Sequence, residues 1–253
     1  MRLRRKAAVA VIMVAATATA TAAGCGTKAE PPAASKSTPA SPTAPPSPTL
    51  PTSPTASTGG TKSPQDTKSP QQQSSLSPGW EITVYYTAVE DYHDGTPTPV
   101  TGCPTLNCKN GTDDLGSYPA DFVEAVQDEG TGRTSSGRYL NWSYDIGYWL
   151  DSIPRTSDGQ SLSPFVSAAA DPDVLPHGTR FTIAGCGTED DGSTPPSAVC
   201  AALKDASWEI TDEFTPGLGG SQHIDAYIGP ETGENFTDSD WYITLNNARI
   251  SIG

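Results

Sequence analysis

The sequence predicts a mainly β protein built around a small closed barrel. Four short segments are rich in β-branched and aromatic residues, which is typical of strands; they are residues 81–87, 179–184, 223–229 and 248–252. Gly- and Pro-rich loops join them at irregular spacing, which favours a closed β-barrel over a regular parallel α/β sheet. We therefore expect strands at these four places and no repeating strand–helix unit.

Two segments carry helical patterns. Residues 118–127 place Phe122, Val123 and Val126 at helical spacing, with Asp121 near the start. Residues 197–204 follow a Pro-Pro pair, which commonly precedes a helix. Two short helices are therefore expected beside the barrel.

The first 24 residues resemble a bacterial signal peptide. Arginines and a lysine open the chain, an apolar run follows, and Ala22-Ala23-Gly24 stands directly before Cys25. This arrangement is similar to the lipobox, where lipoproteins are cleaved and acylated on the cysteine. We expect Cys25 to be the lipidated mature N-terminus; a plain secretion signal and an uncleaved membrane helix are the alternatives.

Composition changes abruptly along the chain. Residues 25–78 consist almost entirely of Pro, Ser, Thr, Ala, Gln, Lys and Gly, which predicts a disordered linker. Residues 79–253 hold every Trp, Tyr and Phe of the chain and form the single domain with a core. We expect the linker to tether this domain to the outer face of the cell membrane, within the cell wall.

The charge of the domain excludes one class of partner. Residues 79–253 carry 27 acidic and 7 basic side chains. Such a surface does not neutralise phosphates, so no nucleic-acid partner is expected. Contact with the membrane is expected through the lipid anchor only.

Four cysteines follow Cys25, and an even number in an exported domain predicts disulfides. Three pairings are possible, and we favour the local ones, Cys103–Cys108 and Cys186–Cys200, because each encloses a loop of turn-forming residues. His93, His177 and His223 are far apart and lie in no metal-binding spacing. No metal and no cofactor are expected.

Several motifs together resemble the Asp-Asp-Asp (3D) domain family, which occurs in membrane-bound lytic transglycosylase A. Residues 168–180 (AAADPDVLPHGTR) are similar to its Ala-x-Asp-Pro-x-x-Ile-Pro-x-Gly-Thr motif. Thr211-Asp212 followed by a Gly-rich loop resembles its Asp-x-Gly-Gly motif, and residues 222–229 (QHIDAYIG) resemble His-Phe-Asp-Ile-Tyr-x-Gly. Residues 84–87 (VYYT) are similar to its opening strand, whereas residues 89–166 match no part of the family.

The resemblance implies a six-stranded double-psi β-barrel with loop insertions and short helices. It also implies that Asp171, Asp212 and Asp225 share one groove and cleave the β-1,4 glycan strands of peptidoglycan. Asp225 matches the family's general acid/base, and the other two aspartates would hold the groove and tune it. Independently, a carboxylate within an apolar strand is expected to have a raised pKa and to act as an acid near neutral pH.

Two of the three aspartates also have a structural interpretation. Asp171-Pro172 is a common turn opener, and Asp212 precedes a Gly-rich loop that it would cap. His223 and Tyr85 are candidate substrate contacts. Arg133 is a third, with Arg138 as its alternative, since the Lys of the family's Lys-Gly pair is replaced here by Gly219-Gly220 and either arginine would supply the missing cation.

Two other functions use a similar barrel. An expansin-like module would bind or loosen the wall without catalysis, and a cellulase-like hydrolase would need a second carboxylate to activate water. The predicted function is that of a lytic transglycosylase, whose nucleophile is the muramic 6-hydroxyl of the substrate itself.

Replacing Cys25 with Ser removes the thiol that the predicted lipid would modify. We expect the Cys25→Ser protein to leave the membrane fraction or to stall before processing. Fractionation of cells with detection of the mature N-terminus measures this, and unchanged membrane partition would contradict the lipobox.

Overall fold

The computed structural model describes residues 75–253. The predicted signal peptide, Cys25 and linker residues 25–74 lie outside the described residues. The strands are β1 (Ser75–Val89), β2 (Pro97–Gly102), β3 (Asp113–Pro119), β4 (Thr131–Arg133), β5 (Tyr139–Ser143), β6 (Gly147–Asp151), β7 (Ser167–Ala169), β8 (Arg180–Gly185), β9 (Trp208–Asp212), β10 (His223–Pro230) and β11 (Leu245–Ile252). The helices are α1 (Ala120–Glu129) and α2 (Ser197–Asp205), with short 3₁₀ turns at Glu90–Tyr92 and Phe236–Asp238.

The predicted strands and helices are confirmed at these positions. Gly130, directly after α1, adopts a left-handed conformation. Its N–H donates a hydrogen bond to the carbonyl of Val126, and the helix ends there. Strand β1 begins at Ser75, four residues before the predicted start of the domain at residue 79.

Six strands close into a barrel in the order β1-β10-β7-β9-β8-β11, and β11 pairs again with β1. The pairs β1–β10 and β7–β9 are parallel, and the other four are antiparallel. The ring maps onto itself when β1 is exchanged with β9, β7 with β10 and β8 with β11. After this exchange the same strands are neighbours, and each pair keeps its parallel or antiparallel direction. This internal two-fold is that of a double-psi barrel, and the predicted fold class is confirmed.

Alternation along the strands fills the barrel interior. Ile82 and Val84 on β1 pack against Ile224 and Ala226 on β10, and Ile210 on β9 joins the same cluster. Because successive side chains of a strand point to opposite faces, the residues between them point out of the barrel. Asp225 on β10 lies between Ile224 and Ala226 and so belongs to this outer set. On β9 a register shift interrupts the alternation after Ile210 and places Asp212 opposite Ala169, which joins it to the same set.

Residues 89–166 form a second cluster beside the barrel. β4 pairs with the last residues of β1, and β5 and β6 extend that sheet. Helix α1 packs on it through Phe122 and Val126, so closely that a Cβ at Gly132 would lie 2.3 Å from Val126. β1 therefore belongs to both clusters and joins them.

Both predicted disulfides are present. Cys103 and Cys108 are 5.8 Å apart at Cα and close a loop next to β6. Cys186 and Cys200, 6.0 Å apart, tie the segment after β8 to α2. The prediction of local pairing is confirmed.

No helix within residues 75–253 is long and apolar enough to cross a membrane.

Ile82 is fully buried in the barrel, whereas Leu76 on the same strand is 57% exposed. Ile82→Ala leaves a cavity, and we expect it to lower the free energy of unfolding by about 2–5 kcal/mol. Leu76→Ala is the matched control and should change it by less than about 0.5 kcal/mol. Urea unfolding measures both; equal losses would contradict the assignment of the core.

Candidate active site

Two of the three candidate aspartates lie in one row across the outer face of the barrel. Thr83 on β1 pairs with Asp225 on β10, Asp225 pairs with Ala169 on β7, and Ala169 pairs with Asp212 on β9. Neighbouring strands are about 4.8 Å apart, so the backbones at Asp225 and Asp212 lie about 10 Å apart. The small side chain of Ala169 stands between them.

Asp225 lies deep among protein atoms while part of it stays accessible to solvent. The Thr83 hydroxyl donates to its Oδ1 at 2.8 Å. Burial, and next to it the negative charge of Asp212, raises the pKa of Asp225 to about 7, although the Thr83 bond acts in the opposite direction. A carboxyl in this state both gives and takes a proton near neutral pH.

Asp212 is held far more tightly than Asp225. Its Oδ1 accepts from the N–H of Ser157 at 2.8 Å, the Ser157 hydroxyl at 2.6 Å and the N–H of Glu213 at 2.9 Å. The Tyr85 hydroxyl donates to Oδ2 at 3.2 Å. Burial raises the pKa of Asp212, and these bonds counter that effect. With four donors around it, Asp212 is suited to fixing the site rather than to transferring protons.

Asp171 lies beyond the end of β7, at a turn. Its backbone carbonyl accepts from the N–H groups of Val174 at 2.9 Å and Leu175 at 3.1 Å. A Cβ at Gly219 would lie 2.1 Å from Asp171 Oδ1, so the carboxylate packs directly on that loop. Within residues 75–253 no hydrogen bond joins Asp171 to Asp212 or Asp225. The structure places it against the Gly-rich loop, at the position that the turn interpretation expects.

His223 faces the same side of β10 as Asp225. Its Nε2 lies 3.0 Å from the Thr83 hydroxyl and 3.6 Å from Glu81 Oε1. The Phe214 ring lies against the imidazole, with 4.5 Å between the ring centres. His223 therefore lies within hydrogen-bond distance of Thr83, and among residues 75–253 no hydrogen bond joins it to Asp225 itself.

Tyr85 and Arg133 occupy places that the sequence did not suggest. Tyr85 is only 7% exposed, packs on Tyr227 and Leu162, and uses its hydroxyl on Asp212. Burial, followed by the charge of Asp212, raises its pKa well above the usual value. Arg133 pairs with Val89, six residues beyond Thr83 along β1, and lies about 20 Å from the row at 3.3 Å per residue.

One acidic residue near the site was not a sequence candidate. Glu129, at the end of α1, accepts from the Tyr86 N–H at 3.2 Å and bonds to the Tyr242 hydroxyl. Burial, and next to it the charge of Asp225, raises its pKa well above the usual value. An acid in the last helical turn opposes the helix dipole, and this was the only sequence signal for it.

The described residues offer no metal site: within 75–253, no three His, Cys, Asp or Glu side chains are arranged to hold a metal ion.

Comparisons with known proteins gave structural matches only. No family model matches the chain, and no curated protein matches its sequence. E. coli MltA with bound chitohexaose shares 13% identity at a TM-score of 0.47, over 68% of this chain and 70% of that one. The membrane-bound lytic murein transglycosylase of Agrobacterium tumefaciens shares 10% at 0.42, over 68% and 73%. MltA from Neisseria gonorrhoeae shares 10% at 0.39, over 70% and 72%.

At these identities and TM-scores the likenesses carry no functional argument for this chain. The functional assignment therefore depends on the residues of the site.

The raised pKa of Asp225 also predicts how stability depends on pH. Between about pH 4, the usual pKa of an unfolded Asp, and about pH 7, the folded protein holds a proton that the unfolded chain has lost. Stability therefore falls as the pH rises through this window. Asp225→Asn removes the ionisation, so we expect a gain of up to a few kcal/mol at pH 8 and little change at pH 4.

Urea unfolding of the wild type and Asp225→Asn at both pH values measures this difference. A gain of the same size at pH 4 and pH 8 would show that burial of the charge is not its cause.

Proposed function

We propose that this protein cleaves the β-1,4 glycan strand of peptidoglycan, with Asp225 as the general acid/base of a lytic transglycosylase. The observation that carries the proposal is Asp225 itself: a partly accessible carboxyl with a pKa of about 7, in one row with a second carboxylate that is fixed by four donors. The motif resemblance to the 3D domain family supports the choice of substrate.

The proposed reaction needs one acid that later acts as a base. Asp225 gives its proton to the glycosidic oxygen as the bond from C1 to that oxygen breaks. The ionised carboxylate then takes the proton of the muramic 6-hydroxyl as this oxygen bonds to C1. The proton returns to Asp225, and the product ends in a 1,6-anhydro sugar with no water consumed.

Neighbouring residues prepare Asp225 for these two steps. Burial, and next to it the charge of Asp212, raises the pKa of Asp225 to about 7, so that a large fraction of it carries a proton near neutral pH. Ser157 and Tyr85 hold Asp212 in place, and Asp171 supports the loop that carries Gly219. Contacts of His223, Tyr85 and Arg133 with the glycan stay predictions.

We further propose an exported location, at the outer face of the membrane and in the cell wall. The two disulfides support it, because such bonds form and persist mainly in oxidising compartments. In this proposal a lipid on Cys25 attaches the protein to the membrane, and the linker lets the folded domain reach into the cell wall.

Digestion of purified glycan strands followed by mass analysis of the product ends tests the function. Anhydro-muramic ends are expected; reducing ends would indicate a hydrolase, and no products would indicate a wall-binding module. Asp225→Asn keeps the shape of the side chain and should lower the rate about 10²–10⁴-fold.

Asp171→Asn is the comparison variant, and we expect it to lower the rate less because its carboxylate packs on a loop. A wild-type rate for Asp225→Asn would remove Asp225 as the catalyst.

A further inference from the structure

Four polar side chains form a chain on the outer face of β1 and β10. Thr83 Oγ1 lies 2.8 Å from Asp225 Oδ1 and 3.0 Å from His223 Nε2. Glu81 Oε1 lies 3.6 Å from the same His223 nitrogen. Glu81 pairs with His223, and Thr83 pairs with Asp225, so the parallel register itself brings the four together.

The available donors and acceptors fix the direction of the two hydrogen bonds that Thr83 makes, one with Asp225 and one with His223. When Asp225 is ionised, its carboxylate only accepts hydrogen bonds, so in that state the single hydrogen of the Thr83 hydroxyl points to Asp225. The Thr83 oxygen then has only acceptor capacity left for His223, whose Nε2 must carry a hydrogen. The nearby Glu81 carboxylate favours a hydrogen on that nitrogen.

We propose that His223 is a positioning residue that acts on Asp225 through the Thr83 hydroxyl, and this inference rests on the proposed function. By holding the Thr83 oxygen as an acceptor, His223 orients the hydroxyl hydrogen toward Oδ1 of Asp225. Oδ1 is then an acceptor in both protonation states, and the transferable proton is carried by Oδ2. The acid thereby presents one defined oxygen to the glycosidic bond.

The surroundings of the imidazole favour this role over a substrate contact. Phe214 covers one face of the ring, and Nε2 is directed to Thr83 and Glu81. The other titratable groups around Asp225 are Asp212, Glu129, Tyr85 and Tyr242, which act on it or respond to it through charge. Thr83 is the side chain that bonds to it directly.

Two pairs of variants separate positioning from substrate binding. Thr83→Val removes the hydroxyl and Thr83→Ser keeps it; His223→Phe keeps an aromatic ring against Phe214, and His223→Gln keeps an N–H donor. We expect Thr83→Val and His223→Phe to lower kcat about ten- to hundredfold with KM within about twofold, which corresponds to losing a hydrogen bond to a charged group. Thr83→Ser and His223→Gln should recover most of the rate.

The pKa of Asp225 gives a readout that does not need activity. The Thr83 bond lowers this pKa, so its loss should move the titration of Asp225 upward by about one pH unit. Carbon-13 NMR of labelled aspartate measures it in both Thr83→Val and His223→Phe. Thr182→Val, at an exposed position of β8, is the control and should change neither quantity.

The outcomes distinguish this inference from the proposed function. If the wild type releases no glycan products, the proposed function fails, while an upward shift of the Asp225 titration in both variants still supports positioning. A His223→Phe protein with a raised KM, an unchanged kcat and an unmoved Asp225 titration would overturn the inference in favour of a substrate contact.

Discussion

The parallel pairing of β1 with β10 is the interaction on which the rest of the structure depends. It closes the six-stranded ring, and its register sets Thr83 beside Asp225 and Glu81 beside His223. The paired residues are about 142 positions apart in sequence, so the contacts of Thr83 and Glu81 with Asp225 and His223 form only when the barrel closes. Beyond this pairing, β1 runs on to β4 and carries the second cluster, which brings Glu129 close enough to respond to the charge of Asp225.

The two central carboxylates differ because their hydrogen bonds differ. Both are removed from bulk water, which raises the pKa of each. Asp212 has four donors that oppose this effect and fix its position, whereas Asp225 has one side-chain donor, Thr83. Burial therefore acts on both carboxyls, but Asp212 is fixed by its hydrogen bonds whereas Asp225 can exchange its proton.

The sequence predicted what depends on local patterns. Strand alternation placed His223 and Asp225 on one face, and short loops gave both cysteine pairs. It did not predict Thr83, Ser157 or Glu129, because their roles depend on long-range pairing and on residues 89–166, which match no motif. The sequence suggested Tyr85 as a contact for a sugar ring. Strand alternation cannot show that Leu162, far away in sequence, packs on Tyr85 at the outer face of the barrel.

The position of the site on the outer face separates folding from catalysis. Ile82, Val84 and Ile224 alternate with Thr83, Tyr85 and Asp225, so the same strands supply the core with one set of residues and the site with the other. A carboxylate inside the barrel would have no access to a polymer and would carry the full cost of burial. On the outer face, Ser157 of the 152–166 segment bonds to Asp212, Glu129 at the end of α1 responds to the charge of Asp225, and Asp225 itself is largely removed from water. This raises the pKa of the acid while the apolar interior stays intact, so the covering segments can tune the acid without repacking the barrel.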